Sequence, residues 1–78
     1  MQKWEHKFVE CVSHLEEWYP AFEDGQEIAH WKTGGNVTAY SNGLGDQGWE
    51  LVNFSHCVAG LAADHREFLW LAFKRPKA

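Results

Sequence analysis

Apolar and polar residues interleave along residues 3 to 13. Trp4, Phe8 and Val12 share one parity with His6 and Glu10 between them, while Val9 and Cys11 fall on the other side. β-Branched and aromatic side chains dominate and no Gly or Pro interrupts, so the run predicts a strand, long enough to be bent or bulged. Two later runs read the same way, 49–56 (WELVNFSH) after Gly48 and 66–74 (REFLWLAFK) before Pro76. Residues 57–65, with Gly60 and Asp64, predict the hairpin loop between them. Before these strands, residues 36–44 predict a short helix. Asn36 is a suitable N-cap, and Val37, Tyr40, Ser41 and Leu44 fall on one face. Gly45 is expected to be its left-handed C′ residue, and Gly43 weakens the helix by about 1 kcal/mol relative to Ala.

Residues 14 to 35 give a mixed signal. Leu15, Trp18, Tyr19 and Phe22 have near-helical spacing, but Pro20 disfavours helix at Tyr19 and Gly25 breaks the pattern. Ile28 and Trp31 suggest one anchored turn before Thr33-Gly34-Gly35. The stretch reads as a structured excursion of short helical or extended pieces, the kind of long connection that carries binding residues. The expected fold is α+β: one domain over residues 1–78, an antiparallel sheet of about three strands and one short helix. The expected order is strand, excursion, helix, strand, strand.

The last two strands lack clean alternation. Leu69, Leu71 and Phe73 oppose Phe68, Trp70 and Ala72, and Trp49 and Leu51 oppose Val52 and Phe54. Such strands need cover on both faces, and one helix covers one. Either the excursion or a second copy of the chain must cover the other, and a homodimer or higher oligomer is the preferred expectation.

Composition narrows the function classes. Seventy-eight residues, 45% of them hydrophobic, make one ordered domain. The longest dense apolar run, Phe68 to Phe73, is far short of a membrane span, and Lys3 leads into Trp4, Glu5 and His6 instead of a signal-peptide core. A soluble cytoplasmic protein with no membrane partner is expected. The net charge of −4 argues against a duplex nucleic acid partner. Glu16, Glu17, Glu23, Asp24 and Glu27 read as a solvated acidic face or loop. Cys11 and Cys57 are expected to be reduced thiols.

The segment Asn42-Gly-Leu44-Gly45-Asp-Gln-Gly48-Trp49-Glu50-Leu51-Val52 resembles a family of small bacterial and phage proteins, catalogued as domain of unknown function 4177. Trp4-Glu5-His6-Lys7 resembles the opening of that family's first strand, and Phe73-Lys74-Arg75-Pro76 its close. The resemblance covers residues 3–13 and 41–76 and implies a fold without an established activity. Some small phage proteins of comparable compact fold resemble sponges that sequester nucleotide immune signals, a likeness by analogy only. The motif itself reads as structural: glycines closing a helix, Trp49 and Leu51 entering the sheet beneath it, Glu50 facing away.

Candidate chemistry is sparse. His6, Cys11, His14, His56, Cys57 and His65 are the ligand types for a metal, but no CxxC or HxxxH is present and Cys11-x-x-His14 is the nearest pair. No metal or cofactor is expected. The GLGDQG glycines do not follow a strand and open a helix, and no Cys or Ser sits in a nucleophile context, so an enzyme is not expected. What stands out is aromatic content, 15% of residues with five Trp. Trp18, Tyr19, Phe22 and Trp31, assigned to the excursion outside the sheet, are rings that stack on a planar ligand. Arg66, Arg75 or Lys32 would hold a phosphate. The candidate ligand-binding residues are Trp18, Tyr19, Trp31, Arg66 and Arg75. The expected function is non-enzymatic binding or sequestering by a homo-oligomer, with a nucleotide-like small molecule as the most concrete ligand. The alternative is a protein–protein adaptor that presents the acidic excursion or a sheet edge.

Overall fold

The computed structural model describes residues 1–59 and 66–77. Five strands, Trp4–His14 (β1), Glu17–Glu23 (β2), Gln26–Glu27 (β3), Glu50–Ala59 (β4) and Arg66–Pro76 (β5), form one antiparallel sheet. The spatial order is β3-β2-β1-β5-β4. A 3-10 turn at Trp31–Thr33 and the helix Val37–Asp46 (α1) lie between β3 and β4.

The expected three-strand sheet is therefore corrected to five, because the excursion is itself sheet. Leu15 and Glu16 both have positive φ (51° and 65°) and form a two-residue reverse turn that folds β2 back onto β1. Asp24 and Gly25 (51° and 85°) do the same between β2 and β3. The near-helical spacing was coincidental: Leu15 is in a turn, and Trp18 and Tyr19 are consecutive strand residues on opposite faces. Trp18, Tyr19 and Phe22 thus belong to the sheet, not outside it. Pro20 is tolerated because the register shifts beside it. Cys11 pairs with Pro20 and Glu10 with Phe22, which leaves Ala21 as the extra residue of a bulge.

The helix begins as expected: the Asn36 side chain accepts from the Ala39 N–H at 3.1 Å. It ends later than expected. Gly45 lies inside α1, and the left-handed residue is Gly48, with φ of 90°. Trp49 N–H donates to Leu44 C=O and Gly48 N–H to Gly45 C=O, both at 2.9 Å. That pair of bonds is a Schellman closure, and its accompanying apolar contact joins Trp49 to Leu44 in the core. The hairpin loop is also shorter than expected, since Cys57, Val58 and Ala59 still belong to β4; Gly60, Asp64 and His65 lie outside the described residues.

Helix α1 covers one face of the sheet. Val9, Cys11, Leu44, Trp49, Leu71 and Phe73 are buried there, with Trp18, Val37, Tyr40 and Leu69 packed against them. The excursion extends the sheet sideways instead of covering its other face, so among the described residues no second layer lies over the far side. The molecule is accordingly a flat slab of 49 × 25 × 18 Å.

Candidate functional site

Beneath α1 the helix side of the sheet is occupied by internal contacts, while Leu51 and Phe54 on β4, which pair with the buried Phe73 and Leu71, stay exposed. Two cations lie over the Trp49 ring, Lys7 Nζ at 5.0 Å and the Arg75 guanidinium at 4.3 Å from its centroid. Arg75 also donates from Nη1 to the Gln47 carbonyl at 3.0 Å and from Nε to the Glu5 carboxylate. It thereby satisfies an end-of-helix carbonyl and sits at the negative end of the α1 dipole. Glu23 ties the sheet to the helix: it accepts from Lys7 Nζ at 2.8 Å and from the Tyr40 hydroxyl. These bonds, the Lys7 one foremost, hold the Glu23 carboxyl below its ordinary range. Burial, and donation to Glu23, push the Tyr40 hydroxyl up. Burial, helped by the Glu10 charge, raises the Cys11 thiol to about 11, so it is uncharged at neutral pH.

The opposite face carries the even-numbered residues of β1 and β5 and their neighbours on β2. On it Trp4, Phe8 and Trp70 expose 44%, 53% and 43% of their surface, high values for such large rings. Phe22, Val12 and Phe68 are half-buried. Phe8, Glu10, Phe22 and Trp70, with Asp24 and Gly25 at the rim, enclose a concave pocket of about 550 Å³. Both ionisable side chains of that pocket are carboxylic acids. At the far end of this face, Trp31 and Tyr19 each stand edge-on to the His14 ring at 5.9 Å, and Lys32 Nζ lies 5.5 Å from the Trp31 centroid.

The sequence-predicted site residues thus divide. Tyr19 and Trp31 come together around His14. Trp18 is on the helix side, packed against the core with its ring edge-on to His56 at 5.7 Å. Arg75 pairs in register with Glu5, at the opposite end of β1 from His14, roughly 30 Å away at about 3.3 Å per residue. Arg66 pairs through its backbone with Ala59, and its side chain lies outside the described residues. The five residues therefore do not converge on one phosphate-and-ring site. Among the described residues no group of three His, Cys, Asp or Glu side chains could hold a metal. The nearest sequence pair is split by strand parity, Cys11 facing the helix and His14 the other side.

Phe8, Glu10 and Asp24, which line this pocket together with Trp70, are not among the sequence-predicted binding residues; Trp70 stands on the second strand face that a further copy of the chain is expected to cover. Their signal was present in the shared parity of Trp4, Phe8 and Val12 and of Phe68, Trp70 and Ala72. It became spatial only once β1 and β5 were known to pair directly, Phe8 against Ala72 and Glu10 against Trp70.

The fold and this face define a one-layer sheet backed by one helix, with an aromatic face left open. No family model, no curated protein and no solved structure matches the chain. Among the described residues no helix is long and apolar enough to cross a membrane.

Proposed function

We propose that the chain is a non-enzymatic binding protein that works as a homo-oligomer. The observation that supports this reading is the open sheet face, where Trp4, Phe8 and Trp70 are exposed side by side with Phe22, Val12 and Phe68. Aromatic surface of this extent marks an interaction site in a soluble domain. The ligand is a planar small molecule, with a nucleotide-like compound the first to test. Its seat is the corner of Tyr19, Trp31 and His14, where rings suited to stacking lie beside the Lys32 ammonium. On this reading Arg75 and Trp18 hold the fold together and do not touch ligand.

Native mass spectrometry of protein purified from cells tests both parts. The expected result is a dimer or higher species, carrying a small molecule that Trp31→Ala releases. A bare monomer that no nucleotide stabilises in a thermal-shift screen overturns the reading. One observation favours the adaptor alternative: β4 is an outer strand of ten residues, its far edge unpaired among the described residues, and an edge of that length is a template for a partner's strand. A flat nucleotide screen, together with a partner that binds through β4, selects it.

A further inference from the structure

We infer that a second copy of this chain closes the open face, running antiparallel to the first about a two-fold axis that crosses β1 and β5 at the level of Phe8 and Ala72. The inference rests on the homo-oligomer reading and assigns its surface. The β1–β5 register sets the face out in rows: His6 beside Lys74, then Phe8 beside Ala72, then Glu10 beside Trp70, then Val12 beside Phe68. Phe22 flanks Glu10 on the β2 side.

Charge is distributed unevenly about the Phe8–Ala72 row. On one side stand the Lys74 ammonium and the His6 imidazole. On the other stands the pocket, with aromatic walls from Phe8, Phe22 and Trp70 and the carboxylates of Glu10 and Asp24. A two-fold axis across the strands at the central row lays the Lys74–His6 row of each copy over the Glu10–Trp70 row of the other. His6 then faces Glu10, and Lys74 faces Trp70 and the acidic pocket. An ammonium on a long apolar stem suits that socket, since rings and carboxylates both favour a cation. Lys74 makes the same kind of contact within its own chain, where Nζ lies 4.4 Å from the Trp4 ring centroid. Glu50, which pairs with Lys74 on the edge strand, falls over the partner's Ser55, a neutral group. The other symmetric docking, with the axis along the strands between β1 and β5, sets Lys74 over His6 and leaves Glu10 without a cation. Complementarity therefore selects the crossed axis. Ala72 at that axis is a small side chain and permits the ordinary sheet-to-sheet spacing of about 10 Å.

The test is sedimentation equilibrium on the full chain and on Glu10→Lys, Lys74→Glu and the double variant, each checked for folding by circular dichroism. Wild type is expected to dimerise. Each single reversal should raise the dimer dissociation constant by about tenfold or more, since it sets like charges together at two symmetric places, and the double variant should recover most of that loss. A separate readout keeps the inference falsifiable if a reversal unfolds the chain. Ala72→Cys in a Cys57→Ser background should be joined to its symmetry mate by a short bismaleimide. A monomeric wild type overturns both this inference and the oligomer reading. A dimer that ignores both reversals, or that gives no cross-link at position 72, overturns this inference alone and moves the contact to another surface such as the β4 edge.

Discussion

The two glycines at the end of α1 should respond to alanine in opposite directions. Gly48 has φ of 90°, a conformation that L residues with a Cβ adopt at a cost of about 1–2 kcal/mol. A Cβ there meets no atom within 4 Å, so packing adds nothing and Gly48→Ala measures backbone strain alone. The chain cannot easily relax away from it, because the bonds from Gly48 and Trp49 to the last helical turn, both 2.9 Å, hold the buried Trp49 in place. Gly45 lies inside the helix and its added Cβ also meets nothing, so Gly45→Ala gains helix propensity of about 0.5–1 kcal/mol. For a domain this small, 1 kcal/mol shifts Tm by about 4–8 °C. Gly48→Ala is therefore expected to lower Tm by roughly 5–10 °C, and Gly45→Ala to raise it by roughly 3–6 °C. Both are measured by calorimetry at one protein concentration, because association also contributes to Tm. Gly45→Ala emerging as the more damaging change would refute the assignment of Gly48 as the left-handed cap.

Other consequences are equally direct. Replacing Leu15-Glu16 by Asn-Gly, the pair suited to two consecutive positive φ values, should raise stability by about 1 kcal/mol or more in urea titration; an unchanged midpoint would show that the turn carries no strain. Tyr40→Phe removes a hydrogen bond to the half-exposed Glu23 carboxylate and should cost about 1 kcal/mol at pH 7, as read from the same titration. Because the Glu23 carboxyl is lowered in the folded state, its contribution is fully present above the ordinary carboxylate range and is lost as pH falls through its lowered value. Glu23→Gln should therefore flatten the acid limb of the stability profile, and a limb as steep as wild type would refute the pairing. Under native conditions iodoacetamide should modify half-buried Cys57 well before Cys11, whose thiol is fully buried and raised to about 11; mass spectrometry finding Cys11 labelled first would contradict its burial.

The sequence was legible where one local rule decided the structure. β1, α1 and β5 were each found within a few residues, because alternation, an Asn cap and a terminal Pro act over short distances. Residues 14–35 read only as short helical or extended pieces, and not as part of the sheet, because two cues compete there and the helical one is the more visible. Asp24-Gly25 is a standard signal for a two-residue hairpin, yet beside the near-helical spacing of Leu15, Trp18 and Phe22 the glycine reads as a break in a helical pattern. Leu15-Glu16 carries no such signal, since neither residue favours positive φ, and pairing with β1 imposes the turn. In the sequence Gly45 reads as the cap because it directly follows the last apolar helical position. The structure chose the glycine next to Trp49, whose burial anchors the closure. The candidate site was less legible still. Arg75 and Trp18 stand out by residue type, and type does not reveal that one is spent on Trp49 and Gln47 and the other on the core.

The same contacts explain why the blocks around residues 48–52 and 73–76 belong together. Gly48 turns the chain so that Trp49 drops beneath the helix. Arg75, two residues beyond the buried Phe73, stacks on the Trp49 ring while bonding the Gln47 carbonyl just before it. Lys7 of the first strand also lies over that ring. The conspicuous motif residues therefore meet at one joint, where helix, first strand and last strand are locked together. A joint of this kind specifies a fold and leaves function open, because none of its groups faces the open side of the sheet. The residues that face the open side, and so can meet a ligand or a second copy, are Phe8, Glu10 and Trp70 outside the motif blocks and Lys74 within one. A change there should alter what the protein binds before it alters whether it folds, and a change at Trp49 or Arg75 should do the reverse.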